Sequence, residues 1–421
     1  MLKHFFIAFI LSTLALLTLT SCAGSPNEVN SGEPVSTQGV ASQAAVSSPE
    51  TSPTQPPVPT TTSSPTPQPE EQIMALPMYR GNIQRTGQFE AAGVPVSGSL
   101  KWQFETADEV HSSPAVSDGM LYVASYDGNL YAIDIQSGQA LWQSEVGRAF
   151  SSPVVVEESI FVGSADGLHA LNRADGAERW HYKAQVGGEM RSSPAFYAGL
   201  IYIGSDDGNI YAFQADRGDL AWQFKTLGQV FSSPAIYKDI VYAGDYAGYL
   251  HALDAESGEE LWQFKTKRSI YATPAIREGQ VFFGSLDGNF YALDAATGEE
   301  LWHVEIGEPI VSSAALSKDV LYFGCLDHNV YALDINSGEV KWQFETSNEV
   351  YSSPVLASDI VYIGSDDANL YALDAKTGEE RWRHETGGFI GNSPAVAGDM
   401  VFFSSYDGSI YAVGPGGPET P

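Results

Sequence analysis

The sequence predicts an all-β fold: an eight-bladed β-propeller of four-stranded antiparallel blades. Three observations predict it. Tryptophan stands at positions 102, 142, 180, 222, 262, 302, 342 and 382 and nowhere else, in steps of 40, 38, 42, 40, 40, 40 and 40 residues. A fixed period near 40 is the mark of a repeat architecture. Within each period, four short apolar, β-branched and aromatic runs alternate with Gly- and Asp-containing turns, the pattern of an all-β unit. Finally, the ends are complementary. The last copy stops in 414–418 without its Trp, and the first Trp stands alone in Ser99-Leu100-Lys101-Trp102-Gln103-Phe104.

One repeat shows the expected strands. Residues 230–237 are apolar with small hydroxyl residues and read as a first, buried strand. Residues 240–244 read as a second strand, 250–254 as a third and 260–266 as a fourth. Lys238-Asp239, 245–249 and 255–258 are the turns. No stretch after the leader keeps a 3.6-residue apolar period, so almost no helix is expected. A single unit of this kind cannot bury both faces; a closed ring of them can, leaving only short edges. The strand that carries the Ser-Pro text occurs eight times, starting near Ser112, Ser151, Ser192, Ser232, Ala272, Ser312, Ser352 and Asn392, so the N-terminal strand is expected to complete the last blade within 99–414.

The text joining the third and fourth strands reads Ala-x-Asp-x-x-(Ser/Thr)-Gly-x-x-x-Trp. It appears as Ala132, Asp134, Ser137, Gly138 and Trp142, and recurs at Ala252 to Trp262, Ala292 to Trp302, Ala332 to Trp342 and Ala372 to Trp382. Two copies are degenerate, with Asn172 and Asp175 in one and Gln214 and Arg217 in the other. This resembles the tryptophan-docking motif of the PQQ-like β-propeller repeat family, over about 78–414. Residues Met78 to Gly87 resemble the lead-in of such propellers. The resemblance implies that Trp102, Trp142, Trp180, Trp222, Trp262, Trp302, Trp342 and Trp382 are structural. An indole buries on the order of 150–250 Å², and the small Ala and Gly let it approach the next blade.

The N-terminus carries an export signal. Met1-Leu2-Lys3-His4 is followed by an apolar run over 5–19, which is short for a membrane span. It ends in Leu19-Thr20-Ser21-Cys22, which resembles a bacterial lipobox. A signal peptide over 1–21 and lipid on Cys22 are therefore expected. Residues 22–75 are rich in Ser, Thr and Pro with no Lys or Arg, which reads as a disordered tether. Its reach would be on the order of 40 Å if flexible. Residues 76–98 are the lead-in and 415–421 a flexible tail.

The chain carries a net charge of −31; beyond residue 75 there are 47 acids and 20 bases. Such a field disfavours nucleic acid and anionic lipid surfaces. Cys325 is the second of two cysteines and replaces the Ser of other repeats, so no disulfide framework is expected. No GxSxG, HExxH, Walker loop or CxxC is present, and no pair of the eight histidines shows metal-ligand spacing. The recurrent Asp-Gly-Asn segments lack the spaced carboxylates of a calcium loop and suit hairpin turns. No catalytic residue, cofactor or metal is expected.

The quinoprotein dehydrogenases named for PQQ hold their cofactor in the axial funnel with calcium, a catalytic Asp and often a disulfide of adjacent cysteines. This chain has no adjacent cysteines and no long insertion between strands. In anchor, blade count and docking motif it resembles the lipid-anchored BamB lipoproteins of outer-membrane assembly, from which it departs in its long tether and near-identical repeats. That resemblance implies a monomeric, non-enzymatic scaffold for a protein partner, exported and held at the membrane by its lipid.

Because the framework repeats, its variable positions locate a working surface. Before the Ser-Ser-Pro text stand His111, Phe150, Arg191, Phe231, Tyr271, Val311, Tyr351 and Gly391. In the turn between the second and third strands stand Tyr126, Ala165, Asp206, Tyr246, Leu286, Leu326, Asp366 and Tyr406. Both sets are expected to ring one mouth of the channel. His111, Arg191, Phe231, Tyr271, Tyr351, Tyr126, Tyr246 and Tyr406 are the candidate partner-binding residues, by the chemistry of recognition surfaces. A glycan or small ligand stacking on the tyrosines, or a PQQ-dependent dehydrogenase, are the alternatives.

Overall fold

The computed structural model describes residues 78–89 and 97–416; the signal segment, Cys22, the tether and residues 417–421 lie outside these. Among the described residues there are only strands, turns and irregular segments. They form eight sheets. Seven are consecutive in sequence, from Ala115–Glu145 to Val355–Glu385. The eighth pairs Ala395–Ala397, Met400–Ser404 and Ser409–Gly414 with Ser99–Glu105. In that last sheet Trp102 lies opposite Ala412 and Phe104 opposite Ile410, so strands from the two ends of the repeat array close the ring, as the complementary ends predict.

Blade four matches the sequence reading in its second strand, Ile240–Gly244, and closely in its third and fourth, Tyr249–Asp254 and Glu260–Lys265. The first strand is shorter than predicted, Ala235–Tyr237. Pro234 has no N–H to give to a ladder, and the Ser-Ser pair before it serves a different purpose. The backbone N–H of Ser113 donates to the hydroxyl of Ser152 in the next blade. The same bond links Ser152 to Ser193, Ser193 to Ser233, Ser233 to Thr273, Thr273 to Ser313, Ser313 to Ser353, and Ser393 back to Ser113, at 2.8–3.2 Å. These hydroxyls form a belt round the axis.

The indoles join the blades further out. A Cβ placed on Gly258 would meet the Trp222 ring at 2.6 Å; Gly298 stands in the same relation to Trp262, and Gly378 to Trp342. The Nε1–H of Trp102, Trp142, Trp180, Trp222, Trp262, Trp302 and Trp342 donates to a carbonyl of the following blade, as Trp222 does to Ala255 at 3.0 Å and Trp262 to Ala295 at 3.1 Å. Asp254 holds the glycine turn by accepting from the N–H and hydroxyl of Ser257. The first Trp docks likewise on Gly138, and Trp382 packs on Gly98, the glycine of the Ser97-Gly98-x-x-x-Trp102 copy of the motif that the N-terminal strand brings to the seam.

The lead-in is not a peripheral strand. It runs inside the ring. Carbonyls of Ile83, Gln84, Thr86 and Gly87 accept from Ile236, Ile276, Leu316 and Leu356, one on each of four successive innermost strands. Gln88–Phe89 then adds a short parallel strand to Val355–Ala357, so that blade seven has five strands instead of the expected four. Arg85 is fully buried and donates to the carbonyls of Pro234, Pro194, Ser193 and Tyr79, while Arg80 donates to those of Arg85 and Ala314. Burial pushes Arg80 down to about 10 and Arg85 to about 9, and both stay cationic at neutral pH. The guanidiniums satisfy carbonyls that the Ser-Pro text leaves outside any ladder, as buried polar groups require.

Trp222→Ala is expected to cost about 3–5 kcal/mol, by loss of the buried ring and the gap it leaves, seen as a lower urea unfolding midpoint. Gly258→Ala is expected to destabilise as well, because its φ of +74° and the indole both oppose a Cβ.

Candidate functional site

The second-to-third-strand turns and the links entering the first strands lie at the same end of the ring, the end where the predicted residues fall. Backbone bonds tie the two sets together in each blade: Tyr126 N–H donates to Glu109, Asp206 to Glu189, Tyr246 to Gln229, Asp366 to Glu349 and Tyr406 to Phe389. This holds the variable side chains of both sets round one basin.

Their rings meet across blades. His111 stacks on Tyr126 at 4.0 Å, meets Tyr406 at 4.1 Å and Phe150 at 5.3 Å, and Tyr126 meets Phe150 edge-on at 4.6 Å. On the other side Phe231 meets Tyr271 at 5.3 Å and Tyr246 at 5.6 Å. Arg191 bridges the two groups, its guanidinium 4.7 Å from the Phe150 centroid and 5.8 Å from that of Phe231, within cation–π range. The structure thus brings His111, Tyr126, Arg191, Phe231, Tyr246, Tyr271 and Tyr406 into one surface spanning blades eight and one to five. Tyr271 is the most exposed of these rings, at 39%. Tyr406 covers Gly391, where a Cβ would lie 2.6 Å from its hydroxyl.

Tyr351 joins from blade seven. Burial, then Asp366, Glu349 and Tyr271, raise its hydroxyl above the ordinary phenol range. Burial raises Tyr406 in the same way, with Asp366, Tyr271, Tyr126 and Glu109 adding to it. His111 is held below the usual imidazole range by burial, against the opposing Glu109 carboxylate at 2.8 Å. Arg191 pairs with Glu189 at 2.8 Å and Asp206 at 2.9 Å. Burial nevertheless pushes the Asp206 carboxyl up to about 7, with Arg191 opposing and Glu189 and Asp207 adding. One Asp206 oxygen is buried without a hydrogen-bond partner.

The floor belongs to the lead-in, a contribution that sequence reasoning missed. The Tyr79 hydroxyl meets Ser353 of the belt at 3.4 Å. Burial raises that phenol, but Arg80 and the hydroxyls of Ser353, Ser313 and Ser393 outweigh it and hold the group below its ordinary range.

The family model described as outer membrane protein assembly factor BamB, a PQQ repeat model, matches residues 85–185 and 327–415. One described as the β-propeller of β-alanine-activating enzyme matches 157–359. The repeats are of the PQQ-like β-propeller type. The BamB protein of Yersinia pestis is 30% identical over 143 residues, 30% of this chain and 36% of that protein; the aligned segment spans about a third of the relative's length. The solved BamB of Moraxella catarrhalis superposes with a TM-score of 0.65 at 19% identity, over 75% of this chain and 99% of that one. The quinohemoprotein alcohol dehydrogenase of Comamonas testosteroni superposes with a TM-score of 0.72 at 15% identity, over 80% of each chain. At these identities the two structures establish the fold.

In this basin Arg191 pairs with Glu189 and Asp206, Arg148 lies 5.2 Å from the Tyr126 ring centroid, and Glu109, Glu349 and Asp366 stand round the same rim.

The Asp-Gly-Asn segments form turns. Asp127 accepts from the backbone and amide of Asn129 and from the Tyr131 hydroxyl at 2.6 Å. Cys325 is wholly buried in the place where Ser285 and Ser365 stand. The strand register pairs two histidines that sequence spacing does not. His169 and His181, whose spacing in sequence is not that of a metal-ligand pair, lie directly opposite on paired strands, with ring centroids 3.9 Å apart and Asp166 beside them.

Asp206 gives a pH prediction. The folded state raises this carboxyl from 3.8 to about 7, so it binds the proton more tightly than the unfolded chain does. Stability from this group is therefore full at low pH and is lost as pH rises through 7. Asp206→Asn is expected to be more favourable relative to the wild type at pH 8 than at pH 5, as thermal unfolding at both pH values will show.

Proposed function

We propose that this chain is a non-catalytic binding scaffold of the cell envelope, lipid-anchored at Cys22 and carried on the tether 22–75, whose mouth binds a protein partner. The observation that carries this reading is the lining itself. Rings and guanidinium from six blades touch one another in one partly exposed basin, which is the aromatic-and-Arg composition of protein recognition surfaces. The likeness to proteins named as outer-membrane assembly factors supports the same reading. Arg191 positions Phe150 and Phe231 while its charge is balanced by Glu189 and Asp206, so the basin offers apolar contact ringed by acid. That chemistry favours a partner with an exposed apolar side chain flanked by basic residues.

The test is in-vivo crosslinking and capture with the tagged full-length chain. Beside it run a mouth variant (His111→Ala, Arg191→Ala, Tyr271→Ala and Tyr351→Ala together) and Glu278→Ala, in the first-to-second-strand turn at the other end of the ring. The expected result is a protein captured by wild type and Glu278→Ala but not by the mouth variant. Equal capture by all three would overturn the reading.

A further inference from the structure

The repeat is broken in one place in a coordinated way. At the third-strand position of Tyr131, six blades have Tyr, blade four has His251 and blade two has His169. The residue opposite is Gln in five blades, His303 in blade five and Arg383 in blade seven; opposite His169 it is His181. Only blade two has two histidines at this pair. Its hairpin is also one residue shorter, running Ala165-Asp166-Gly167-Leu168 where blade one has Tyr126-Asp127-Gly128-Asn129-Leu130. Gly167 makes the short turn with φ +143°, where a Cβ would strike the Tyr182 carbonyl at 1.9 Å. The short turn carries the Asp166 carboxylate beside both rings.

We propose that Asp166, His169 and His181 form a binding site for one divalent transition-metal ion of the zinc class. The three ligand atoms lie within 4.8 Å of one another. His169 Nε2 is 2.9 Å and His181 Nε2 is 3.8 Å from the Asp166 oxygens. A tetrahedral zinc ion at 2.0–2.2 Å from each donor needs donors about 3.3 Å apart, and the observed spacings bracket that. Glu178 accepts from His169 Nδ1 at 3.2 Å and orients the ring, so that Nε2, which faces Asp166, is the nitrogen an ion would take in place of its proton. The Ser164 hydroxyl donates to Asp166 at 2.7 Å and fixes its rotamer. His181 Nε2 is buried without a hydrogen-bond partner, a cost that an ion removes. Two imidazoles and one carboxylate are the donor set of zinc-class sites with open positions.

The neighbouring blade leaves room. At six blade junctions a fourth-strand aromatic packs on the next blade's residue at this position, as Phe264 does on Tyr291 and Phe224 on His251. Val304 fills the place before Tyr331, and before His169 it is Ser144. Blade four provides the contrast. His251 lies between Glu260 at 2.7 Å and Asp245 at 3.4 Å, but Gln263 stands opposite, so it is an ion-paired histidine with no second ring.

The experiment uses the full-length chain stripped with chelator and titrated with Co²⁺, then Zn²⁺. His181→Gln and His169→Tyr restore residues that this fold already accepts at those places in other blades. The expected result is one saturable Co²⁺ per chain with visible ligand-field bands, displaced by Zn²⁺ and weakened at least about 10-fold in either variant, with His251→Tyr binding like wild type. Zn²⁺ should raise the thermal midpoint of wild type and His251→Tyr but not of His181→Gln. Absence of saturable binding in the wild type, or the same binding in His181→Gln, would overturn the proposal, the latter pointing to diffuse binding by the acidic surface.

Discussion

Each indole of this propeller packs on a glycine of the following blade, and from Trp102 to Trp342 its Nε1–H donates to a carbonyl there, as Trp222 does to Ala255 and Trp262 to Ala295. A blade is only four short strands and does not bury both its faces alone. The docking turns eight such units into one closed core, because each ring belongs to one blade and its receptor to the next. The seam shows how strict the requirement is. The N-terminal segment keeps the motif there: Gly98 of Ser97-Gly98-x-x-x-Trp102 receives Trp382, and Ser99–Glu105 supplies the missing strand. Nearer the axis, the belt of Ser and Thr hydroxyls does the polar part of the same work.

A closed ring leaves an axial channel, and the lead-in occupies it. Arg85 and Arg80 bind the carbonyls that Pro and Ser keep out of the ladders, and Gln88–Phe89 pairs with blade seven. Framework positions are thus committed to closure and plugging. The residues free to vary are those of the mouth, and there the blades differ most, from Gly391 to Arg191 to Tyr271. Function on this scaffold is written in the departures from the repeat. The junction of blades one and two makes the same point on a smaller scale, with Ser144 of blade one and His169 and His181 of blade two departing together.

The fold was legible because its determinants are local and repeated. Trp spacing, the Asp-x-x-Ser-Gly turn and the unpaired first Trp encode blade number and closure without any long-range information. The mouth was legible too, since a loop position that varies against a constant framework stands out in one chain. Other features depended on distance in space. Nothing in Met78 to Gly87 says that Arg85 reaches Pro194 and Pro234, which enter two later blades. His169 and His181 sit on successive strands, and only the strand register puts them face to face. The first strand reads too long in the sequence because the hydroxyls of Ser232 and Ser233 suggest a ladder, whereas they bond round the axis.

Hydrogen exchange of the full-length chain tests the closed, plugged ring most directly. If the N-terminal strand completes blade eight and the lead-in fills the channel, then the amides of Ser99–Glu105 and those donating to the lead-in, Ile236, Ile276, Leu316 and Leu356, exchange as slowly as the third strands within the blades. Fast exchange at Ser99–Glu105, with slow exchange confined to the seven sequential blades, would contradict the account.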